Sequence, residues 1–375
     1  MQPHEYERRI LLAATGLSPQ VVTETLYALT QRRAPAFVPT EIHLVTTAEG
    51  AERARLTLLS VDPGWFYRLC RDYGLAGLAF GEAHIHVLRG AAGEPFADIR
   101  SDEDNESVAD ALTELVRGFT CDESAALHVS IAGGRKTMGY YAGYALSLFG
   151  RACDRLSHVL VSAPYESNSE FYYPTPYSRV IYTHPPESRP IDSRDAQVSL
   201  AEIPFVRLRE ELPERLLIGR ARFGEVIAAA NRALDAPLLQ LDPHARSVKA
   251  DGQEVTASPT EFALLLWLAE HALTGDEGVQ WNDEQGAREF LGVIRRVSGS
   301  SASARYEAVE EALGCADTPE LRAQYFEPHA ARLKRAFEYA LGKSAAARYA
   351  IQRGGPRGQS RYRLALAPER IEIEG

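Results

Sequence analysis

The feature that most constrains this chain is a run of short apolar segments alternating with helix-periodic stretches through the first 185 residues. The segments are 10–14, 42–46, 85–88, 127–131, 159–162 and 180–182. They are apolar almost throughout rather than alternating in and out, which marks strands buried on both faces. Between the first two, Val21, Val22, Thr25, Leu26 and Leu29 recur at helical spacing, and 104–117 and 136–149 read the same way. Strand and helix in alternation predict an α/β unit, a mostly parallel sheet covered by helices. Ligands of such sheets bind beyond the carboxyl ends of the strands. Two loops leave those ends: "TGLSPQ" after the first strand and "AGGRKT" after the fourth.

Both loops have the chemistry of an anion site. Gly133 and Gly134 let the backbone approach a ligand closely. The helix predicted from Lys136 offers unpaired N–H groups and the positive end of its dipole. Arg135 and Lys136 add charge at the same point. In the first loop, Pro19 suits a first helical turn and Ser18 its N-cap. Thr15 and Ser18 hydroxyls, backbone N–H groups and Lys136 are expected to surround one phosphodiester. The turn is not a nucleotide-triphosphate loop, because the first glycine of GxxxxGK[ST] is missing and Arg135 separates Gly134 from Lys136. No GxGxxG follows the first strand, which argues against a dinucleotide fold.

Other classes are narrowed by composition. The 375 residues suggest two domains, or one with a large appendage, and 45% hydrophobic with 25% charged residues fits a globular chain with a real core. No apolar run reaches the length of a membrane span, and the N-terminal apolar run is too short for a signal peptide, so a cytoplasmic protein is expected. Cys70, Cys121, Cys153 and Cys315 lie far apart with no CxxC pair, so neither a zinc site nor a disulfide framework is expected. A net charge of −10 opposes general nucleic-acid affinity. From residue 331 onward, however, ten Lys/Arg stand against four Asp/Glu.

Three further clusters carry weaker signals. Asp98, Asp102, Glu103, Asp104 and Glu106 include no EF-hand spacing, and acids are favoured at a helix N-terminus; Asp98 and Arg100 are still placed to touch a ligand beside the sheet end. Phe171, Tyr172, Tyr173 and Tyr177 offer either base stacking or loop packing. Arg179 with His184 and Arg322 with His329 are Arg…His pairs of a ribonuclease type. Beyond these, a Pro-, Ser- and Tyr-rich excursion and a bridging segment precede a change of texture near residue 238. There "LLQLDPHARSVKADGQEVTASPTEFALLLWLAEHAL" reads as a short hairpin, a capped turn with Pro259 and an amphipathic helix.

"ILLAATGLSPQVVTETLYAL", "SIAGGRKTMGYYAGYALSL", "DIRSDEDN" and "FYYPTP" together resemble the CRISPR-associated Rossmann-fold (CARF) proteins of type III systems, most nearly the Csm-six-like or ring nuclease subfamily, over about residues 8–220. The resemblance implies a Rossmann-like sheet, dimerisation through that domain, and a cyclic oligoadenylate on the two-fold axis, with cyclic tetra-adenylate the expected ring. Its first ligand loop matches Thr15, Gly16, Ser18 and Gln20; its second matches Gly133, Gly134, Arg135 and Lys136, with Thr137 beside it. Thr46, Asp98 and Arg100 complete the expected binding set. Lys136, Ser18 and Thr15 are the expected catalytic groups of a ring nuclease that yields 2′,3′-cyclic phosphate ends without metal or cofactor. No ribonuclease domain of the HEPN type is evident. "KADGQEVTASPTEFALLLWLAEHA", "HAARLKRAFEYAL" and "YAIQRGGPRGQSRYRLAL" instead resemble a winged-helix effector domain, interrupted over about 274–328. The expected organisation is a CARF domain over 1–190, a bridging segment over 191–237, and a mainly α winged-helix-like domain over 238–375. The alternatives to a ring nuclease are a ligand sensor that regulates DNA through the winged helix, and a ligand-activated ribonuclease using Arg322 and His329.

Overall fold

The computed structural model describes residues 1–374 except 91, 97, 233, 299–302, 315, 317 and 356–359; Cys315 therefore lies outside the described residues. The chain divides into two compact units. One comprises Met1–Arg209 with Arg220–Glu225, the other Glu210–Gly219 with Val226–Gly375.

The first unit is built outward from its first apolar run. In β1 (Arg8–Ala14) every residue from Ile10 to Ala14 is at most 2% exposed, so the strand must be flanked on both edges and both faces. Its elements continue with α1 (Gln20–Tyr27), β2 (Glu41–Thr46), α2 (Ala48–Ala54), α3 (Trp65–Asp72), β3 (Ile85–Val87), α4 (Asp102–Cys121), β4 (Ala125–Ser130), α5 (Lys136–Phe149), β5 (Arg155–Val161), β6 (Val180–Tyr182), β7 (Pro190–Asp192) and β8 (Val198–Glu202). The main sheet has the order β3-β2-β1-β4-β5-β8. The first five strands are parallel, and β8 runs antiparallel on β5. The α/β, mostly parallel expectation holds.

Two strand assignments change. The run at 180–182 pairs with β7 in a separate two-stranded sheet, and the sixth strand of the main sheet comes from Val198–Glu202. The short apolar triplet is sufficient for a hairpin, whereas β8, at the sheet edge, carries only Val198 fully buried and has Ser199 and Glu202 exposed, so it lacks the continuous apolar signature of the inner strands. The functional consequence lies elsewhere. The chain leaves β1 toward β2 on one side, and β4 toward β5 on the other. The carboxyl ends of β1 and β4 therefore adjoin at the point where strand order reverses, the position at which open α/β sheets bind ligands.

The second unit contains α6 (Glu214–Ile218) and most of α7 (Phe223–Arg232). It then runs β9 (Leu239–Asp242), β10 (Ser247–Ala250), β11 (Gln253–Glu254), α8 (Pro259–Thr274), α9 (Glu284–Ser298), α10 (Ser303–Gly314), α11 (Pro319–Leu341), α12 (Lys343–Ala346), β12 (Ile351–Gly354), β13 (Arg361–Leu364) and β14 (Ile371–Ile373). Ser258 caps α8 in a reciprocal capping box with Glu261, and Pro259 is its first residue. The helix is not amphipathic as the sequence reading expected: Phe262 to Ala269 are all buried. It is the central helix of this unit's core, wrapped by α9, α11 and the hairpin β12–β13, and a helix apolar on all sides belongs in such a place.

Candidate functional site

The two loops expected to hold a ligand meet. A β-carbon on Gly16 would lie 3.6 Å from the Gly134 Cα, and one on Gly133 would lie 2.9 Å from the Ala14 carbonyl oxygen and from Val21 Cγ2. Gly134 has φ +82°, a conformation that favours glycine. These glycines serve loop-on-loop packing: a side chain at Gly134 would first meet Met138 Sδ, at 2.9 Å.

Two cavities open beside this junction, and both are lined by Ser18 and Gly134. The first, about 310 Å³, is also lined by Gly16, Leu17, Thr47, Glu49, Asp98, Arg100, Arg135 and Met138. It brings together six of the residues expected from sequence. The second, about 280 Å³, lies between α1, the loop after β4, the end of β5 and the loop at 166–168, and takes in Gln20, Gly133, Glu24, His158 and Glu166.

Each expected residue has a definite place. Ser18 is exposed and caps nothing: α1 begins one residue later than expected, with Pro19 in the cap position. Its hydroxyl makes no hydrogen bond among the described residues, so it is available to a ligand. Thr15 is fully buried, and its hydroxyl donates to the Ser18 carbonyl at 2.9 Å; it braces the loop and lines neither cavity. Thr46 is likewise fully buried, its Oγ1 pressed against Gly50 at the foot of α2, and it too lines neither cavity. Gln20 reaches Ser169 O through Nε2 at 3.4 Å, and its Oε1 is buried without a partner among the described residues.

Arg135 forms a two-point ion pair with Asp98, Nε to Oδ1 at 2.9 Å and Nη2 to Oδ2, and Arg100 Nε lies 3.7 Å from the same carboxylate. The Arg135 guanidinium holds the Asp98 carboxyl below its ordinary range, helped by the backbone N–H of Ile99. Lys136 and Thr137 are exposed in the first turn of α5, and the Lys136 ammonium forms no ion pair among the described residues. With Met138 N–H turned back to Arg135 O at 2.9 Å, the N–H groups of Lys136 and Thr137 are the ones left to meet an anion.

Several participants were not foreseen. Thr47 caps α2 through the Gly50 N–H at 3.3 Å, and Glu49 follows it into the first cavity. Glu24, in the second, is buried; desolvation, with Glu166 nearby, pushes its carboxyl up to about 8. It is therefore mostly protonated at neutral pH and able to donate a hydrogen bond. An acid four residues after Gln20 on an otherwise apolar helix face was the available signal.

The remaining candidates do not assemble. Asp104 completes a capping box with Ser101 at the start of α4, as expected for that acidic run. Phe171, Tyr172 and Tyr173 are buried, Tyr172 stacked on Trp65 and Tyr173 bonded to Asp72 at 2.8 Å; they are packing. Arg179 lies over the Trp65 ring, and His184 binds Ser167 O. Arg322 and His329 sit two turns apart on α11, about 10.5 Å along the axis, with His329 turned toward Glu261 at 3.8 Å.

Among curated proteins none matches this chain. Among solved structures, the Csm6 of Enterococcus italicus bound to cyclic hexa-2'-fluoro-hexa-dAMP is similar over 88% of this chain and 61% of its own, so this chain spans less than two thirds of that protein's length. Identity is 8% and the TM-score 0.25, a likeness too low to support an argument. The sequence profile of the family described as CRISPR-associated protein NE0113 matches residues 18–234, more than half of the chain and including α1, β4, the glycine turn and α5. This chain belongs to the CRISPR-associated protein NE0113 family.

Proposed function

We propose that the first unit binds a cyclic oligoadenylate and opens the ring, ending a type III CRISPR signal. The observation that supports this is the meeting of two strand-to-helix loops at the switch point, with Ser18 and Lys136 uncommitted beside a helix N-terminus. A ring phosphate seated there accepts from the Lys136 and Thr137 N–H groups and faces the ammonium. A ribose 2′-oxygen then attacks the adjacent phosphorus. The bond to the 5′-oxygen breaks, the 2′-proton leaves and the 5′-oxygen gains one, giving a 2′,3′-cyclic phosphate and a 5′-hydroxyl. The protein contributes alignment and stabilisation of the charge building on phosphate oxygens. Ser18 orients the phosphate, and Thr15 acts through Ser18 by bracing its carbonyl. Each cavity is at the small end for a ligand site, so a whole ring calls for a second copy across a two-fold axis.

A second reading, a sensor without cleavage, is favoured by the commitment of the Thr15 hydroxyl to its own loop and of Arg135 to Asp98. In that reading the second unit is a winged helix, with Arg332, Lys334 and Arg335 exposed along α11 to meet DNA phosphates.

The test is single-turnover cleavage of cyclic tetra-adenylate by the full chain in excess, with the dissociation constant measured separately and the oligomeric state by sedimentation. Lys136→Ala should slow cleavage on the order of 10²–10³-fold and weaken binding less. Equal losses would confine Lys136 to binding. Tight binding with no linear product hands the function to the sensor reading, and a monomer at micromolar concentration removes the two-fold site.

A further inference from the structure

At the opposite, amino-terminal edge of the main sheet lies a cluster that the ligand cleft does not use. Glu41 opens β2 and His43 stands two residues on, so both project to the same side of the strand. His84 ends the 3₁₀ turn Glu82–His84 that leads into β3, and His86 lies within β3. The pairing of β2 with β3 brings these positions together. Three imidazoles meet there: the ring of His43 lies 5.1 Å from that of His84 and 5.1 Å from that of His86. Phe119 of α4 closes the cluster against the His43 ring at 4.6 Å.

One donor atom each from Glu41, His43 and His84 lies within 4.8 Å of the others. His43 Nε2 is 3.1 Å from Glu41 Oε2, about the separation of two donors on one tetrahedral ion bonded at about 2.0–2.1 Å. Bringing in His84 asks for a shift of at most roughly 1.5 Å by that measure. Its Nδ1 is buried with no hydrogen-bond partner among the described residues, a cost in any arrangement without a further atom beside it.

The groups behind these donors are also those a metal site needs. His43 Nδ1 lies 2.9 Å from His86 Nε2, so an ion on Nε2 leaves the proton on Nδ1, donated to His86. Glu41 Oε1 is held by Arg8, leaving Oε2 to face the histidines. Arg8 is itself shared with Asp122 at 3.0 Å, so two carboxylates face its one positive charge. Such outer partners fix ligand orientation. Imidazole and carboxylate donors suit borderline divalent ions such as Zn²⁺. We propose that Glu41, His43 and His84 form a three-ligand site for a divalent transition ion of the zinc class, with a fourth position for water and His86 orienting His43.

The experiment titrates the tag-free full chain with Zn²⁺ calorimetrically, and with Co²⁺ by visible absorption, which reports tetrahedral coordination. One equivalent of Zn²⁺ should bind per chain. His84→Ala should abolish that equivalent and the Co²⁺ band, while His86→Ala should weaken binding about 10–100-fold. His244→Ala, at an exposed turn of the second unit, should change neither. His84→Gln, which keeps a polar side chain of similar reach, stands in if the alanine variant loses its circular dichroism. Absence of a stoichiometric Zn²⁺ site in the parent, or a folded His84 variant that binds as the parent does, overturns the assignment.

Discussion

Glu24→Gln should make the first unit more stable, and increasingly so as pH rises. The folded carboxyl titrates at about 8 against an ordinary value near 4.5. Between those values the folded state keeps a proton that the unfolded state has released. Stability therefore falls with rising pH across that window and levels off above it, at about 1.36 kcal/mol per unit. From pH 5 to pH 8 the ceiling is about 4 kcal/mol by the same slope. Buried sites respond as though more polarisable than a dry interior, and Glu24 borders a cavity shared with Glu166 and His158, so about half that ceiling, ~2 kcal/mol, is expected. Glutamine reproduces the neutral carboxyl and has no charge to bury. Hydrogen exchange at the buried amides of β1 and β4 reports opening of this unit, and comparison at matched pH cancels the intrinsic exchange rate. The ratio of variant to parent protection should grow about thirtyfold from pH 5 to pH 8. A ratio constant across that range would show that Glu24 is not held neutral and that the second cavity is wetter than its lining implies.

Three other outcomes follow from the same geometry. Gly134→Ala should lower the melting temperature of the full chain in calorimetry, by a strain of about 1–2 kcal/mol for a left-handed alanine together with the encounter with Met138 Sδ; Gly118→Ala, in open space on α4, should not, and equal behaviour of the two would remove the packing role of the turn. Asp98→Asn should free Arg135 and tighten cyclic tetra-adenylate binding up to about fivefold, the worth of an exposed ion pair, with a steeper salt dependence in calorimetry; an unchanged affinity would mean the pair already opens at no cost. Charge reversal at Arg332 and Arg335 should abolish any salt-sensitive binding of duplex DNA in an anisotropy titration, and retention of it would move the contact off α11.

What could be read from sequence follows the range of the forces involved. The strands β1, β2 and β4 were legible because burial on both faces leaves an uninterrupted apolar signature. The glycine turn was legible because a left-handed backbone at Gly134 admits few residues. The same turn shows where that reading stops. Loop composition identifies groups able to bind a phosphate, but not whether each group is already engaged. Thr15 and Ser18 are both hydroxyl residues of one loop, yet one is bonded inward and the other is free. Arg135 and Lys136 are adjacent cations, yet only Arg135 has Asp98, 37 residues away in sequence, beside it in the lining of the first cavity. Glu24 and the cluster of Glu41, His43, His84 and His86 were missed for the complementary reason. Each residue is unremarkable along the chain, and its chemistry arises only when α1 closes over the β5 end, or when β2 and β3 pair. Sequence thus located the cleft through backbone requirements that few residues satisfy. Which side chains in it remain free for chemistry was decided by long-range pairing, and any test of the proposed cleavage therefore turns on Ser18 and Lys136 before Thr15 or Arg135.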